Sequence, residues 1–203
     1  MASPSTSESF PGFSRLFVIG EAGDGGFRVD AQLPESQSNL ALGLLRAEYR
    51  PQQPVTARWC MGRRRPSDII YSTALFVRLI SERMKELLER ERVGGWTTYP
   101  VTLIGPQAEV IEGYSGLSIS GRCGPITLGS NGIRMKQYPA GEYPVEVGIS
   151  FEPQTWDGSD LFMSTESKGF VFASERVWRL LRKERIRGVG LVPLRDFETV
   201  PPA

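Results

Sequence analysis

The sequence predicts an α+β fold, in which a mostly antiparallel sheet carries two similar capped helices. The first observation is a strand–helix–strand pattern near residues 67–101 that occurs again near 159–194. The second is the stretch 102–158, rich in glycine and proline, with short apolar segments typical of strands joined by turns. The third is a composition of 40% hydrophobic and 23% charged residues, which is ordinary for a globular protein.

The two copies match beyond their helices. Residues 67–73 (SDIIYST) resemble residues 159–165 (SDLFMST), and residues 81–100 align without a gap to 174–193 with nine identical positions. Average composition gives about one or two identities by chance over such a length. We therefore predict an internal strand–helix–strand duplication.

Each predicted helix has clear ends. Ser81 and Ser174 are good N-caps, because a serine hydroxyl accepts a hydrogen bond from a free backbone N–H in the first turn. The next residue is glutamate in both copies, which the helix dipole favours at that end. Gly95 and Gly188 follow the helices, where glycine lets the chain turn back.

The whole chain is predicted to form one domain with a disordered start. Residues 1–14 are rich in serine, proline and threonine and are expected to be disordered, whereas 15–203 form a single α+β domain. The sequence also predicts a strand at 15–19, a hairpin turn at 21–26, a short helix at 39–48, and strands at 55–60, 110–113, 117–120 and 145–151.

Composition excludes several kinds of site. The chain has 24 Lys+Arg against 23 Asp+Glu, so it lacks the basic excess of most nucleic-acid-binding proteins. It has no histidine, which excludes Ser-His-Asp and Cys-His nucleophiles. Two distant cysteines, no signal peptide and no long apolar run favour a cytoplasmic protein without a membrane span. We expect no metal and no cofactor.

Two local strings are the strongest candidates for chemistry. Cys123 follows Arg122, and a neighbouring cation can lower a thiol pKa and activate it as a nucleophile. Asp157 and Asp160 are three residues apart and could hold a hard cation through oxygen. The alternative for Cys123 is a small buried cysteine in a turn. The alternative for Asp157 and Asp160 is a turn before the second copy. Asp68 occupies the position that matches Asp160, which favours a shared structural role for both.

A contact surface is the other possibility. Trp96, Tyr114 and Trp156 are large aromatic side chains of the kind that anchor interfaces, and Arg122 and Asp157 lie in the unusual strings beside them. We take these five residues as candidate partner-binding positions. The alternative for each aromatic residue is burial in the core.

Several strings resemble a family of bacterial proteins related to the immunity proteins of polymorphic toxin systems. The strings are residues 67–70 (SDII), 95–101 (GWTTYPV), 113–119 (GYSGLSI), 121–126 (GRCGPI) and 155–160 (TWDGSD). The resemblance covers about residues 67–194, and it implies a cytoplasmic, non-enzymatic protein that binds and neutralises a cognate toxin. It implies no catalytic residues.

Two other functions stay open from the sequence. One is a binding or regulatory subunit of another bacterial complex, such as a defence complex. The other is an enzyme that uses Cys123, Asp157 or Asp160.

Overall fold

A computed structural model describes residues 10–22, 26–33, 38–63, 65–73, 76–166 and 169–200, with the backbone alone for 38 and 39. The helices are α1 (Ser38–Leu45), α2 (Glu82–Arg90) and α3 (Glu175–Lys183). The strands are β1 (Leu16–Glu21), β2 (Arg28–Gln32), β3 (Val55–Met61), β4 (Ile69–Ser72), β5 (Arg78–Ser81), β6 (Trp96–Tyr99), β7 (Val101–Ile104), β8 (Val110–Ile111), β9 (Tyr114–Ile119), β10 (Gly121–Cys123), β11 (Ile126–Leu128), β12 (Ile133–Tyr138), β13 (Gly141–Val147), β14 (Ile149–Phe151), β15 (Leu161–Ser164), β16 (Val171–Ser174), β17 (Val189–Pro193) and β18 (Glu198–Thr199).

The strands form two main sheets and two small ones. The larger sheet has the order β6-β9-β5-β4-β2-β3-β7-β8, and the second has the order β10-β15-β16-β1-β17. The small sheets are β11-β14 and β12-β13-β18. The pairs β10–β15, β2–β4 and β3–β7 are parallel, and the other described pairs are antiparallel. The predicted α+β class with a mostly antiparallel sheet is therefore confirmed.

Part of each main sheet repeats the other strand for strand. The array β4-β5-β9-β6 in the larger sheet has the same order as β15-β16-β1-β17 in the second. Leu79 and Tyr99 lie opposite Gly116 on either side of β9. Phe172 and Val192, which lie 93 positions after them, are opposite Val18 on either side of β1. The two arrays therefore share strand order and register.

β1 occupies in the second array the place that β9 has in the first. The strand after β1, β2, pairs with β4 of the first array, and the strand after β9, β10, pairs with β15 of the second. The predicted hairpin between β1 and the following strand is wrong, since β1 and β2 lie in different sheets. Its turn includes residues 23–25, which lie outside the described residues. The side chains of residues 16–19 are buried on both faces, as in a central strand, and this explains the difference.

The two matching helices cover the same core. The buried side chains of α2 and α3 belong to one hydrophobic cluster, and they are Met84, Leu87, Leu88, Val177 and Leu181. Their spacing puts them on one side of each helix, while charged residues occupy the opposite side. The helices therefore hold the two arrays together through a shared core.

The chain before β1 also contacts this body. The segment predicted to be disordered, 1–14, includes residues 1–9, which lie outside the described residues. Phe10 and Phe13 are described, and both rings pack edge-to-face against Phe151, at 5.9 and 5.3 Å between centroids. The structure places these two side chains against a hydrophobic cluster.

Among the described residues, no helix is both long enough and apolar enough to cross a bilayer.

Candidate functional site

Asp68 lies at the junction between α2 and the other sequence copy. Its carboxylate accepts a hydrogen bond from the Ser81 hydroxyl at 3.1 Å and pairs with the Arg83 guanidinium at 3.1 Å. It also accepts the backbone N–H of Arg187 at 2.9 Å. Ser81 in turn caps α2 by accepting the N–H of Met84 at 3.2 Å.

Asp160 makes the same set of contacts at α3. Its carboxylate accepts the Ser174 hydroxyl at 2.7 Å, pairs with Arg176 at 2.8 Å, and accepts the backbone N–H of Gly94 at 3.2 Å. Ser174 caps α3 by accepting the N–H of Val177. Each carboxylate therefore joins its own helix N-terminus to the loop that follows the other helix.

The two arginines complete the exchange between the copies. Arg83 donates to the backbone carbonyl of Glu184 at the end of α3, and Arg176 donates to that of Glu91 at the end of α2. Arginine at a helix C-terminus satisfies free carbonyls and complements the helix dipole. The candidate residues Asp68 and Asp160 are therefore engaged in contacts that stabilise the fold.

Two glycines allow the copies to approach closely. Gly95 and Gly188 have φ of +88° and +86°, a region that favours glycine. A Cβ at Gly95 would lie 2.0 Å from the Leu161 carbonyl oxygen, and one at Gly188 would lie 2.5 Å from that of Ile69. Neither position can hold a side chain without moving the opposite strand.

The thiol of Cys123 is poorly placed for nucleophilic chemistry. Its side chain is buried in a cluster that includes Phe162 and Phe172. Burial and the nearby Asp157 carboxylate raise the pKa of the thiol to about 12, and Arg122 lowers it by less. The group is therefore a neutral thiol at pH 7, and the thiolate is the reactive form.

Arg122 is used mainly to hold backbone. Its guanidinium donates to the carbonyls of Ile119 at 2.7 Å and Gly121 at 2.8 Å, and also to that of Arg46. Desolvation lowers the pKa of this guanidinium, and the nearby Arg46 adds to that effect. The side chain ties β9 and β10 to the loop after α1.

Asp157 closes a turn beside Arg122. Its carboxylate accepts the backbone N–H of Arg122 at 2.7 Å and both the N–H and the hydroxyl of Ser159, at 2.9 and 2.5 Å. The neighbouring Trp156 packs against Phe162, with 5.3 Å between ring centroids. Among the described residues, no group of three or more Cys, Asp or Glu side chains could hold a metal ion.

The other two candidate aromatic residues are also engaged within the protein. Trp96 is half-buried, and its indole N–H donates to the Val93 carbonyl at 2.8 Å. Tyr114 is half-buried, and its hydroxyl donates to the Ser67 carbonyl at 2.9 Å. Desolvation raises the pKa of Tyr114 to about 12, with a smaller contribution from Asp68. Arg122, Asp157 and Trp156 are therefore neighbours, whereas Trp96 and Tyr114 pack against two other hydrophobic clusters.

An exposed apolar feature lies elsewhere, on the ribbon formed by β12 and β13. Ile133 is 67% exposed and Met135 is 55% exposed, and both lie on the same face of β12 because they are two residues apart. Pro144 is exposed and lies opposite Met135 on β13. We call Ile133, Met135 and Pro144 the ribbon face.

The opposite side of the ribbon is charged. Arg134 and Lys136 both pair with Glu198 on β18, at 2.5 Å for Lys136. Val145 on the same side is fully buried. On this side the ribbon contacts the body through Val145 and Glu198, while Arg134 and Lys136 stay 60% and 45% exposed.

Sequence reasoning missed the ribbon, although a signal exists. Residues 133–138 alternate apolar and polar side chains up to Met135 and are followed by Pro139 and Ala140 at a turn, which is a hairpin pattern.

The comparisons with known proteins add no candidate residues: no protein-family model matches the chain, and no curated protein matches it significantly.

Proposed function

We propose that this protein is a non-enzymatic, immunity-type protein that binds and neutralises a cognate bacterial toxin in the cytoplasm. The observation that supports this proposal best is the exposed ribbon face. Clusters of exposed apolar side chains with a polar rim often mark protein-binding surfaces. Glu142 and Gln137, both exposed, lie beside the face and supply such a rim.

The chemistry of the other candidates favours binding over catalysis. The Cys123 thiol is neutral and buried, while Asp157 and Asp160 accept hydrogen bonds from groups that fix the local fold. An inhibitor needs a complementary surface and no reactive group. The resemblance to immunity proteins in residues 67–194 points in the same direction.

Co-expression with a toxin tests this proposal. The toxin gene to use is one encoded beside the gene for this protein, expressed in a host that it kills. We expect the wild-type protein to restore growth and to co-purify with the toxin. A protein that neither binds this toxin nor restores growth would sink the proposal.

A pair of variants tests the role of the ribbon face. We expect Ile133→Ser and Met135→Ser each to weaken toxin binding about tenfold, because burying such a side chain contributes about 1.5 kcal/mol. Val110→Ser is the matched control, since Val110 is 54% exposed but lies on β8 outside the ribbon. Equal binding by all three variants would remove the ribbon from the proposal.

We also propose that the two arrays arose by internal duplication. The shared strand order, the shared register and the paired contacts of Asp68 and Asp160 support this origin. If it is right, structures of distant relatives should keep both aspartates paired with serine at the helix N-termini. Relatives in which one array is replaced by an unrelated structure would argue against it.

A further inference from the structure

We infer that the outer edge of β12 is a docking site for an extended segment of a partner protein, which adds to the ribbon as a further strand. The inference rests on the proposed function for the existence of a protein partner, and it names how that partner binds. In the sheet β12-β13-β18, β12 is an edge strand among the described residues.

The direction of the backbone groups follows from the turn. Tyr138 and Gly141 pair across the two-residue turn formed by Pro139 and Ala140. In such a hairpin the closing pair exchanges both backbone hydrogen bonds. Antiparallel ladders then alternate between bonded and non-bonded pairs along the strands.

This alternation places Met135 and Gln137 in non-bonded pairs. The residue opposite Met135 is Pro144, which has no N–H to donate and so fits a non-bonded position. The backbone N–H and C=O groups of Met135 and Gln137 therefore point away from β13. No strand in the described part of the chain pairs with them.

On the ribbon face, β12 carries no charged side chain that would guard the edge against a further strand. Natural edge strands are commonly guarded by charged side chains, lysine above all. Here Arg134 and Lys136 reach across β13 to Glu198, so both cations are turned away from the ribbon face. Ile133 and Met135 stay exposed beside the free backbone groups.

The charges favour a partner segment over a second copy of this chain. One carboxylate, Glu198, pairs with two cations, so the charged side of β12 keeps a surplus positive charge. Antiparallel pairing of two β12 strands would put Arg134 and Lys136 opposite the same cations of the other copy, which is destabilising. The segment that fits alternates apolar residues, facing Ile133 and Met135, with acidic residues facing the cations.

Short synthetic peptides test the docking site on the full chain. The probe alternates valine and glutamate, and the control peptide alternates valine and lysine. We expect the acidic peptide to slow hydrogen exchange of the Met135 and Gln137 amides about tenfold at a free concentration ten times its Kd. No binding by the acidic peptide, equal binding by the lysine peptide, or protection confined to other strands would overturn the inference.

Two variants at one position separate the backbone from the side chain. Met135→Pro and Met135→Thr both remove the methionine side chain, but only proline removes the outward N–H. Proline is tolerated on edge strands where its nitrogen faces solvent, so both variants should keep the wild-type circular dichroism spectrum. We expect Met135→Pro to bind the acidic peptide at least tenfold more weakly than Met135→Thr; equal affinities would overturn the inference.

Toxin co-expression distinguishes this inference from the proposed function. If Met135→Pro restores growth as well as Met135→Thr, strand addition is overturned while the immunity proposal stands. If the wild-type protein fails to restore growth but the peptide results hold, the immunity proposal fails and the docking edge stands.

Discussion

Two tyrosines on neighbouring strands, Tyr99 on β6 and Tyr114 on β9, have hydroxyl groups in opposite situations. The Tyr99 hydroxyl is buried and has no hydrogen-bond partner among the described residues, whereas the Tyr114 hydroxyl donates to the Ser67 carbonyl. Desolvation raises the pKa of both. The Tyr99 ring fills the space above Gly116, where a Cβ would lie 2.1 Å from it. At residue 99 the ring stabilises the fold, whereas the buried hydroxyl opposes it.

Removing each hydroxyl should therefore have opposite effects on stability. We expect Tyr99→Phe to raise the free energy of unfolding by about 1 kcal/mol, because it removes an unsatisfied buried polar group. Tyr114→Phe should lower it by about 1 kcal/mol, because it leaves the Ser67 carbonyl without its donor. Urea denaturation measures both. Destabilisation by Tyr99→Phe would mean that its hydroxyl is satisfied in solution.

At the scale of elements, α2 and α3 are each fixed by an aspartate, which lies directly before β4 for α2 and directly before β15 for α3. The Asp68 side chain is 5% exposed and the Asp160 side chain is 16% exposed. Removing the aspartate leaves the serine hydroxyl and a backbone N–H without their acceptor, whereas the arginine is about half exposed and stays solvated. The cost should follow burial, so the first helix depends more strongly on its aspartate than the second.

Alanine substitutions test this order. We expect Asp68→Ala to lower the free energy of unfolding by about 3 kcal/mol and Asp160→Ala by about 2 kcal/mol. Glu86→Ala, at an exposed position on α2, is the control and should change it by less than about 0.5 kcal/mol. Urea denaturation measures the three losses. A loss for Asp160→Ala that equals or exceeds the loss for Asp68→Ala would contradict the order.

The elements that sequence predicted best have local causes. Helices α2 and α3 begin after Ser81 and Ser174, because a serine cap and helical apolar spacing act within one turn. The predicted strand at 145–151 is instead the end of β13 and all of β14, interrupted by Gly148 at φ +90°. The ribbon was missed because only two apolar side chains mark its exposed face, and the fold decides which face is solvated.

The site was harder to predict than the fold. Trp96, Tyr114 and Trp156 are residue types common at interfaces, and long-range packing places each of them, partly buried, against a hydrophobic cluster. No local pattern carries that information. The pairing of β1 with β16 and β17 is equally non-local, which is why a local hairpin looked plausible at residues 21–26.

For the whole molecule, the shared core and the exchanged contacts couple the two arrays. Each helix end is fixed by residues of the other copy, and both helices cover one cluster. We expect a single cooperative unfolding transition with the same midpoint by far-ultraviolet circular dichroism and by tryptophan fluorescence. Two separate midpoints would show that the arrays unfold independently.

The position of β1 has a consequence for synthesis on the ribosome. Leu16 pairs with Ser174, and Phe17 pairs with Pro193, so this strand emerges long before its neighbours exist. Its side chains at residues 16–19 are apolar on both faces, and until translation nears β17 they have no partner to cover them. A nascent chain with such an uncovered strand is prone to aggregate and is a natural client for chaperones. The second array can therefore form only when its last strands are made and join a strand that was made first.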